Sequence, residues 1–148
     1  MYVNPASNNS HLLIWVSGEA MVLGYMLGIY TFKAVLDSGA YSLVLKSIDD
    51  QYFQSSTNQD NVETSFKLVE GYLLRECGKR FKVSYRNRVL AEASIEELLK
   101  ILLYCCLHSK TKQQYVERIF ALDENIQSTL MSAIQEINSN LLNVVNYQ

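Results

Sequence analysis

Proline is almost absent from this chain, which strongly restricts what it can fold into. Pro5 is the only proline among 148 residues. Apart from it, the six glycines are the residues that would most weaken a helix interior. Long helices can therefore form along most of the chain, and the sequence predicts an all-α protein. The length suits one domain that buries about two-thirds of the surface of its unfolded chain. We expect residues 1–10 to be a flexible leader and residues 11–145 to form the domain.

The last predicted helix carries more apolar surface than a helix that only covers a domain requires. It begins at Asp123, a good N-cap, and runs to about residue 143. One apolar row returns at the spacing of a face packed on a domain. It comprises Ile126, Leu130, Ala133, Ile137, Leu141 and Val144. A second, shorter row lies roughly 100° around the helix and consists of Gln127, Met131 and Ile134.

The second row has two interpretations. Met and Ile led by Gln fit one wall of a groove for a partner helix, since Met adapts its shape to what it contacts. Alternatively, Met131 and Ile134 belong to the core, because large apolar side chains are most often buried. The sequence pattern alone leaves both interpretations open.

Apolar spacing predicts five helices before the last one. They cover residues 11–16, 33–48, 62–77, 95–107 and 110–120. Ser10 can cap the first helix, Trp15 is expected to anchor it in the core, and Gly78 is placed to end the third. Gly39 weakens the second helix by about 1 kcal/mol relative to Ala. The polar segment 54–61 is predicted to be a loop.

The helix predicted over residues 95–107 is apolar nearly all round and should be the buried centre of the domain. The capping box Ser94-Ile95-Glu96-Glu97 starts it. In such a box the serine side chain accepts from the glutamate amide, and the glutamate side chain reaches back to the serine amide. In the next helix, Tyr115, Ile119 and Phe120 are expected to face inward.

Nothing in the sequence points to catalysis, a cofactor or a membrane span. Residues 20–32 are uncharged but fall short of the roughly twenty residues that a span needs, so we predict that they are core. The three cysteines include an adjacent pair and no CxxC motif, which favours reduced thiols over disulfides or a metal site. The two histidines form no catalytic motif. We therefore expect no enzyme, no cofactor and, at a net charge of −2, no nucleic-acid partner.

One cluster of positive charge stands out. Five cations occur within ten residues, interleaved with apolar side chains; they are Lys79, Arg80, Lys82, Arg86 and Arg88. Such a patch could bind an acidic surface such as a microtubule or a phosphate. The alternative is a solvated loop that joins two helices.

Three runs of residues follow a pattern shared by a known family. The clearest lies in residues 94–137, which include Lys112-Gln113-Gln114-Tyr115 and the run from Ile126 to Ile137. Earlier motifs are Leu12-Leu13-Ile14-Trp15-Val16 and the segment 44–53, whereas similarity is weak over residues 17–33 and 78–93. Together they resemble the HOOK domain. That domain is found at the N-terminus of Hook proteins, in the Girdin/Daple group and, more distantly, in the nuclear mitotic apparatus protein.

The resemblance implies a calponin-homology-like helical bundle with an additional long C-terminal helix, normally followed by a coiled coil. It further implies a cytoplasmic, cytoskeleton-associated adaptor at a centrosome, spindle or organelle surface, and a coiled-coil homodimer when full-length. Its partner would be an amphipathic helix from the tail of the dynein light intermediate chain. On this sequence the groove residues fall on Gln127, Met131, Ile134 and, from the preceding segment, Phe120.

Overall fold

The part of the chain that the structure describes, residues 8–26 and 28–144 of a computed structural model, contains eight helices and a small antiparallel sheet. The helices are α1 Asn8–Val22, α2 Phe32–Asp37, α3 Ala40–Ile48, α4 Val62–Cys77, α5 Val83–Glu92, α6 Ile95–Leu107, α7 Lys112–Phe120 and α8 Glu124–Ser139. The strands are β1 Lys79–Phe81 and β2 Leu141–Asn143. The predicted all-α class is confirmed.

Helix α6 is the centre of the domain, as its apolar sequence predicts. It packs against α1, α2, α3, α4, α7 and α8. All residues from Leu98 to Cys106 except Lys100 are buried. The Tyr41 hydroxyl donates a 2.9 Å hydrogen bond to the Leu98 carbonyl and so attaches α3 to the first turn of α6.

The predicted capping box forms only in part. The Ser94 hydroxyl accepts a hydrogen bond of 3.3 Å from the Glu97 amide, as expected. The return bond was predicted wrongly, because the Ser94 amide instead donates to the Val89 carbonyl in the last turn of α5. The buried Glu97 carboxylate accepts from the Tyr85 hydroxyl at 2.9 Å and from Lys100 at 3.3 Å. Glu97, whose carboxylate was predicted to cap α6, therefore joins α5 to α6 through Tyr85.

Both ends of α4 lie where the sequence predicts them. Asn61 caps the start, with its side-chain oxygen accepting from the Thr64 amide at 2.8 Å. Gly78 ends the helix in the left-handed conformation at φ 61°, which a residue without Cβ adopts at no steric cost. The segment 54–61 before it is a loop, as predicted.

The single helix predicted over residues 33–48 is wrong, because Gly39 divides it into α2 and α3. Gly39 adopts φ 84°, outside the helical region, and stands at the N-cap position of α3. The Ser38 and Gly39 amides bond back into α2, and the Ser38 hydroxyl accepts from the Ala40 amide at 3.2 Å. Gly39 thus turns the chain between two helices, instead of only weakening one.

Helix α1 begins at Asn8, two residues before the predicted cap at Ser10. It continues through Gly18 to Val22 and buries Trp15, the expected core anchor, to 2% exposure. Of the predicted leader, residues 1–7 lie outside the described part of the chain.

The prediction that residues 20–32 are core is wrong for most of the described ones. Ala20 and Ile29 are buried and Tyr25 packs partly against the core, but the side chains from Met21 to Leu23 and that of Met26 are exposed, Met26 to 84%. The chain leaves α1 in a turn at Gly24, which adopts φ 98°. No described helix is long and apolar enough to cross a membrane.

Helix α8 ends at Ser139, four residues before its predicted end. The Asn140 side chain donates to the Glu136 carbonyl at 2.9 Å and completes the last turn. The next residues form β2, which pairs with β1 in the register Lys79 to Asn143 and Phe81 to Leu141. We call these two strands the β1–β2 ribbon. At the end of the ribbon where Lys79 pairs with Asn143, the amide of Val144 donates to the Gly78 carbonyl at 2.8 Å.

Alanine at two glycines should change stability in opposite directions. Gly18 is helical with open space around its Cα, so Gly18→Ala should raise the free energy of unfolding by about 0.5–1 kcal/mol. Gly39→Ala forces a Cβ into the left-handed region 3.3 Å from Asn58, and should lower it by about 1–2 kcal/mol. Urea unfolding followed by circular dichroism measures both. Equal effects of the two substitutions would contradict the role assigned to Gly39.

A candidate helix-binding surface on α8

Helix α8 is fixed to the domain by one buried stripe and by polar contacts, among them those of Thr129 and Glu136. The stripe consists of Leu130, Ala133 and Ile137. The Thr129 hydroxyl of α8 lies 2.7 Å from Nδ1 of His11 in α1. The Glu136 carboxylate of α8 accepts a 2.8 Å hydrogen bond from Lys100 in α6. These contacts fix which face of α8 points away from the core.

The second row of α8 lies at the edge of the domain. Met131 is 50% exposed, so the core interpretation is wrong for this residue. Ile134 is partly buried and packs against the core, so its outer part alone is accessible. Asn138 continues the row by one turn and is exposed. We call Gln127, Met131, Ile134 and Asn138 the α8 row. It extends about 16 Å along the helix.

Gln127 has a role within the chain that the sequence did not reveal. Its side-chain nitrogen donates to the Leu122 carbonyl at 2.7 Å and to the Phe120 carbonyl at 3.2 Å. Both of its N–H groups are thus used to hold the corner between α7 and α8. Only the side-chain oxygen is left to accept a hydrogen bond from a partner.

Phe120 lies on the outer surface of the corner between α7 and α8. Its side chain is 72% exposed, so the expected inward orientation is wrong, whereas Tyr115 and Ile119 are buried as predicted. Phe120 is the last residue of α7 and follows Ile119, which takes the inward position. The Phe120 ring therefore projects into solvent, while the Phe120 carbonyl accepts a hydrogen bond from Gln127.

A buried ion pair positions α7. Arg118 donates to both carboxylate oxygens of Glu19 in α1, each at 2.8 Å, and Glu19 is 3% exposed. These hydrogen bonds raise the pKa of the Arg118 guanidinium, which stays charged. Arg118 also lies over the Tyr115 ring, 5.1 Å from its centroid. The corner that carries Phe120 is thus fixed from α1 as well as from α8.

The C-terminal half of the α8 row borders a shallow depression of about 360 Å³. Its lining residues are Tyr104, His108, Ile134, Gln135, Asn138 and Ser139. The His108 ring stacks on Tyr104 with centroids 4.0 Å apart, and its Nδ1 donates to the Tyr104 carbonyl at 2.8 Å. The depression therefore has an aromatic wall from α6 and a polar rim from α8.

The basic segment is a strand and a helix, so the predicted solvated loop is wrong. Arg86 pairs with Glu70 at 2.8 Å, and Arg88 lies 3.8 Å from Glu92 and 3.9 Å from Glu97.

The remaining cations of the segment belong to β1 and the start of α5. Lys79 donates to neutral groups on α6 and α8. Within the described residues, Arg80 and Lys82 are exposed and have no ion pair. Microtubule binding by this segment stays a prediction, since only Arg86 and Arg88 of its five cations form ion pairs within the described chain.

The three cysteines are free thiols. Burial raises the pKa of Cys77, Cys105 and Cys106, which keeps each in the unreactive protonated form. In the described part of the chain, no group of His, Cys, Asp and Glu side chains is placed to hold a metal ion.

Comparison with known proteins identifies the domain. A family model described as the HOOK domain matches residues 82–136, a range that contains Phe120 and the α8 row as far as Ile134. The chain has a HOOK domain. It is 38% identical over 125 residues to Protein Hook homolog 2 of Homo sapiens, covering 69% of this chain and 17% of that protein. It is 42% identical over 62 residues to Protein Daple of Xenopus laevis, covering 40% of this chain and 3% of that protein.

The fold of this HOOK domain agrees with a solved relative. The solution structure of the conserved domain of mouse HOOK1 superposes with a TM-score of 0.75, at 18% identity, over 99% of both chains. The predicted calponin-homology-like fold with an additional C-terminal helix is thereby confirmed. The chain spans less than a fifth of the length of the curated Hook and Daple proteins named above.

Loss of the Gln127 hydrogen bonds should destabilise the HOOK domain measurably. Gln127→Leu keeps the side-chain size but leaves the Phe120 and Leu122 carbonyls without their donor, which should cost about 1 kcal/mol. Gln135→Leu, on the exposed side of the same helix, is the matched control and should be nearly neutral. Chemical denaturation of both variants measures the difference, and equal stability would show that the corner does not depend on Gln127.

Proposed function

We propose that this HOOK domain is an adaptor module that binds the C-terminal amphipathic helix of the dynein light intermediate chain. The observation that carries the proposal is the half-exposed Met131, within a row of α8 that the HOOK-domain match includes as far as Ile134. The exposed face of a helix that only covers a core is mostly polar.

The surface has the parts that a helix-in-groove interaction requires. Met131 and the accessible part of Ile134 provide an apolar strip along α8, and Phe120 projects at its N-terminal end. An amphipathic helix would place anchors spaced by three and four residues on this strip. The flexible Met131 side chain can adjust to the shape of these anchors.

Gln127 would act at the end of the strip. Since its N–H groups are bonded to the Phe120 and Leu122 carbonyls, it would accept a hydrogen bond from the partner through its side-chain oxygen. Such a bond fixes the register of the partner helix more than it adds affinity. The intramolecular bonds keep this oxygen in one place before the partner arrives.

The proposed role is binding and not catalysis. In the full-length protein, a coiled-coil homodimer following the domain would carry the cargo-selecting part, and the domain would recruit dynein to it. We place this activity in the cytoplasm, at a centrosome, a spindle or an organelle surface. Direct microtubule binding by the segment 79–88 is a second and weaker proposal, because Arg86 and Arg88 are paired with carboxylates and Lys79 is hydrogen-bonded within the described chain.

Truncation of Met131 should weaken binding to a peptide of the dynein light intermediate chain helix. Met131→Ala removes apolar surface from the centre of the groove, and we expect a loss of affinity of about five- to thirtyfold by isothermal titration calorimetry. Met21→Ala is the matched control, because Met21 is an exposed methionine on α1 outside the groove. Phe120→Ser should also weaken binding, while circular dichroism should show all variants folded.

Two other results would redirect the proposal. Equal affinity of the wild type and Met131→Ala would place the binding surface elsewhere on the domain. No binding by the wild type would reject the adaptor proposal for this domain. Microtubule pelleting at increasing salt, with Arg80 and Lys82 replaced by Glu, would then test the second proposal.

A further inference from the structure

Three side chains from different elements meet at the C-terminal end of α8. Lys79 of β1 donates to the Tyr104 hydroxyl of α6 at 3.1 Å and to the side-chain oxygen of Asn138 in α8 at 3.3 Å. The Tyr104 hydroxyl in turn donates to the same Asn138 oxygen at 3.0 Å. We call Lys79, Tyr104 and Asn138 the polar corner. It lies at the edge of the depression that Tyr104 and Asn138 line.

The polar corner holds a positive charge without a counter-ion. Among the described residues, Lys79 has no ion pair, and both of its hydrogen-bond acceptors are neutral. The ammonium has a third N–H, and the Asn138 side-chain nitrogen donates no hydrogen bond within the described chain. The lining of the depression contains no carboxylate, and Glu136 on the same helix is turned to Lys100.

The polar corner is aligned with the proposed groove. Asn138 follows Ile134 by four residues, on the same face of α8 and about 6 Å further along its axis. A partner helix that rests on Met131 and Ile134 would therefore pass the corner about one turn beyond its last apolar anchor. A side chain at that point meets an ammonium N–H and an amide N–H.

We propose that the polar corner is a subsite for a carboxylate of the partner helix. The carboxylate, from Asp or Glu, accepts from Lys79 and from the Asn138 nitrogen, one turn past the anchor that contacts Ile134. Charge-assisted hydrogen bonds of this kind are stronger than neutral ones. Because Lys79 lies at one end of the groove, and Arg118 near the other end is already paired with Glu19, the subsite selects one of the two directions in which a helix can lie there. This inference rests on the proposed function of the groove.

The test is a scan of peptides against three forms of the domain. The probe is the dynein light intermediate chain helix peptide, with Glu or Gln introduced in turn at each non-anchor position. For the wild type we expect a position at which Glu binds about three- to tenfold more tightly than Gln. Lys79→Met should abolish that preference. Lys33→Met, which makes the same change in charge at an 83% exposed lysine on α2, should retain it.

A second variant guards against misfolding of Lys79→Met. Asn138→Asp keeps Lys79 and supplies a carboxylate from the chain itself, so the preference for Glu should disappear while the peptide still binds through its apolar anchors. Thermal unfolding of each variant checks the fold.

The outcomes separate the inference from the proposed function. Binding of the peptides with no preference for Glu at any position would overturn the subsite but leave the groove intact. A preference that persists in both Lys79→Met and Asn138→Asp would place the carboxylate elsewhere and also overturn it. No binding of any peptide to the wild type would reject the groove, and the subsite with it.

Discussion

Burial of α6 on every side is the constraint on which the rest of this domain depends. Six other helices pack against it, and its side chains from Leu98 to Cys106 are buried except Lys100. A helix so apolar is stable in water only if neighbours cover its whole circumference. Each surrounding helix contributes only part of its surface to that cover. Their remaining faces are free to carry charges, caps or a binding surface.

The surface on α8 is a consequence of this arrangement. The helix buries Leu130, Ala133 and Ile137 on the core, and the contacts to His11 and Lys100 prevent it from rolling to bury more. Met131 consequently stays in solvent, at a site that the fold keeps rigid before any partner is present. A groove that is already formed loses little conformational entropy on binding, which favours affinity.

The sequence predicted the elements whose signals are local. Helix α4 follows from its apolar spacing and a stop at Gly78, and α6 from its apolar composition. One error arose where distant residues decide, because pairing with β1 ended α8 early. Two arose where a local feature overrides periodicity: the turn at Gly39 divided one helix into two, and the end of α7 turned Phe120 outward. The α8 row could be read from periodicity, whereas the bonds of Gln127 and the polar corner required the coordinates.

The β1–β2 ribbon has a consequence for folding. By pairing Lys79 with Asn143 it closes a loop that contains α5 to α8. Closing so long a loop costs conformational entropy that a ladder of three residue pairs recovers poorly by itself. The ribbon therefore forms late, once packing of α4 and α8 on α6 has brought Gly78 and Val144 together.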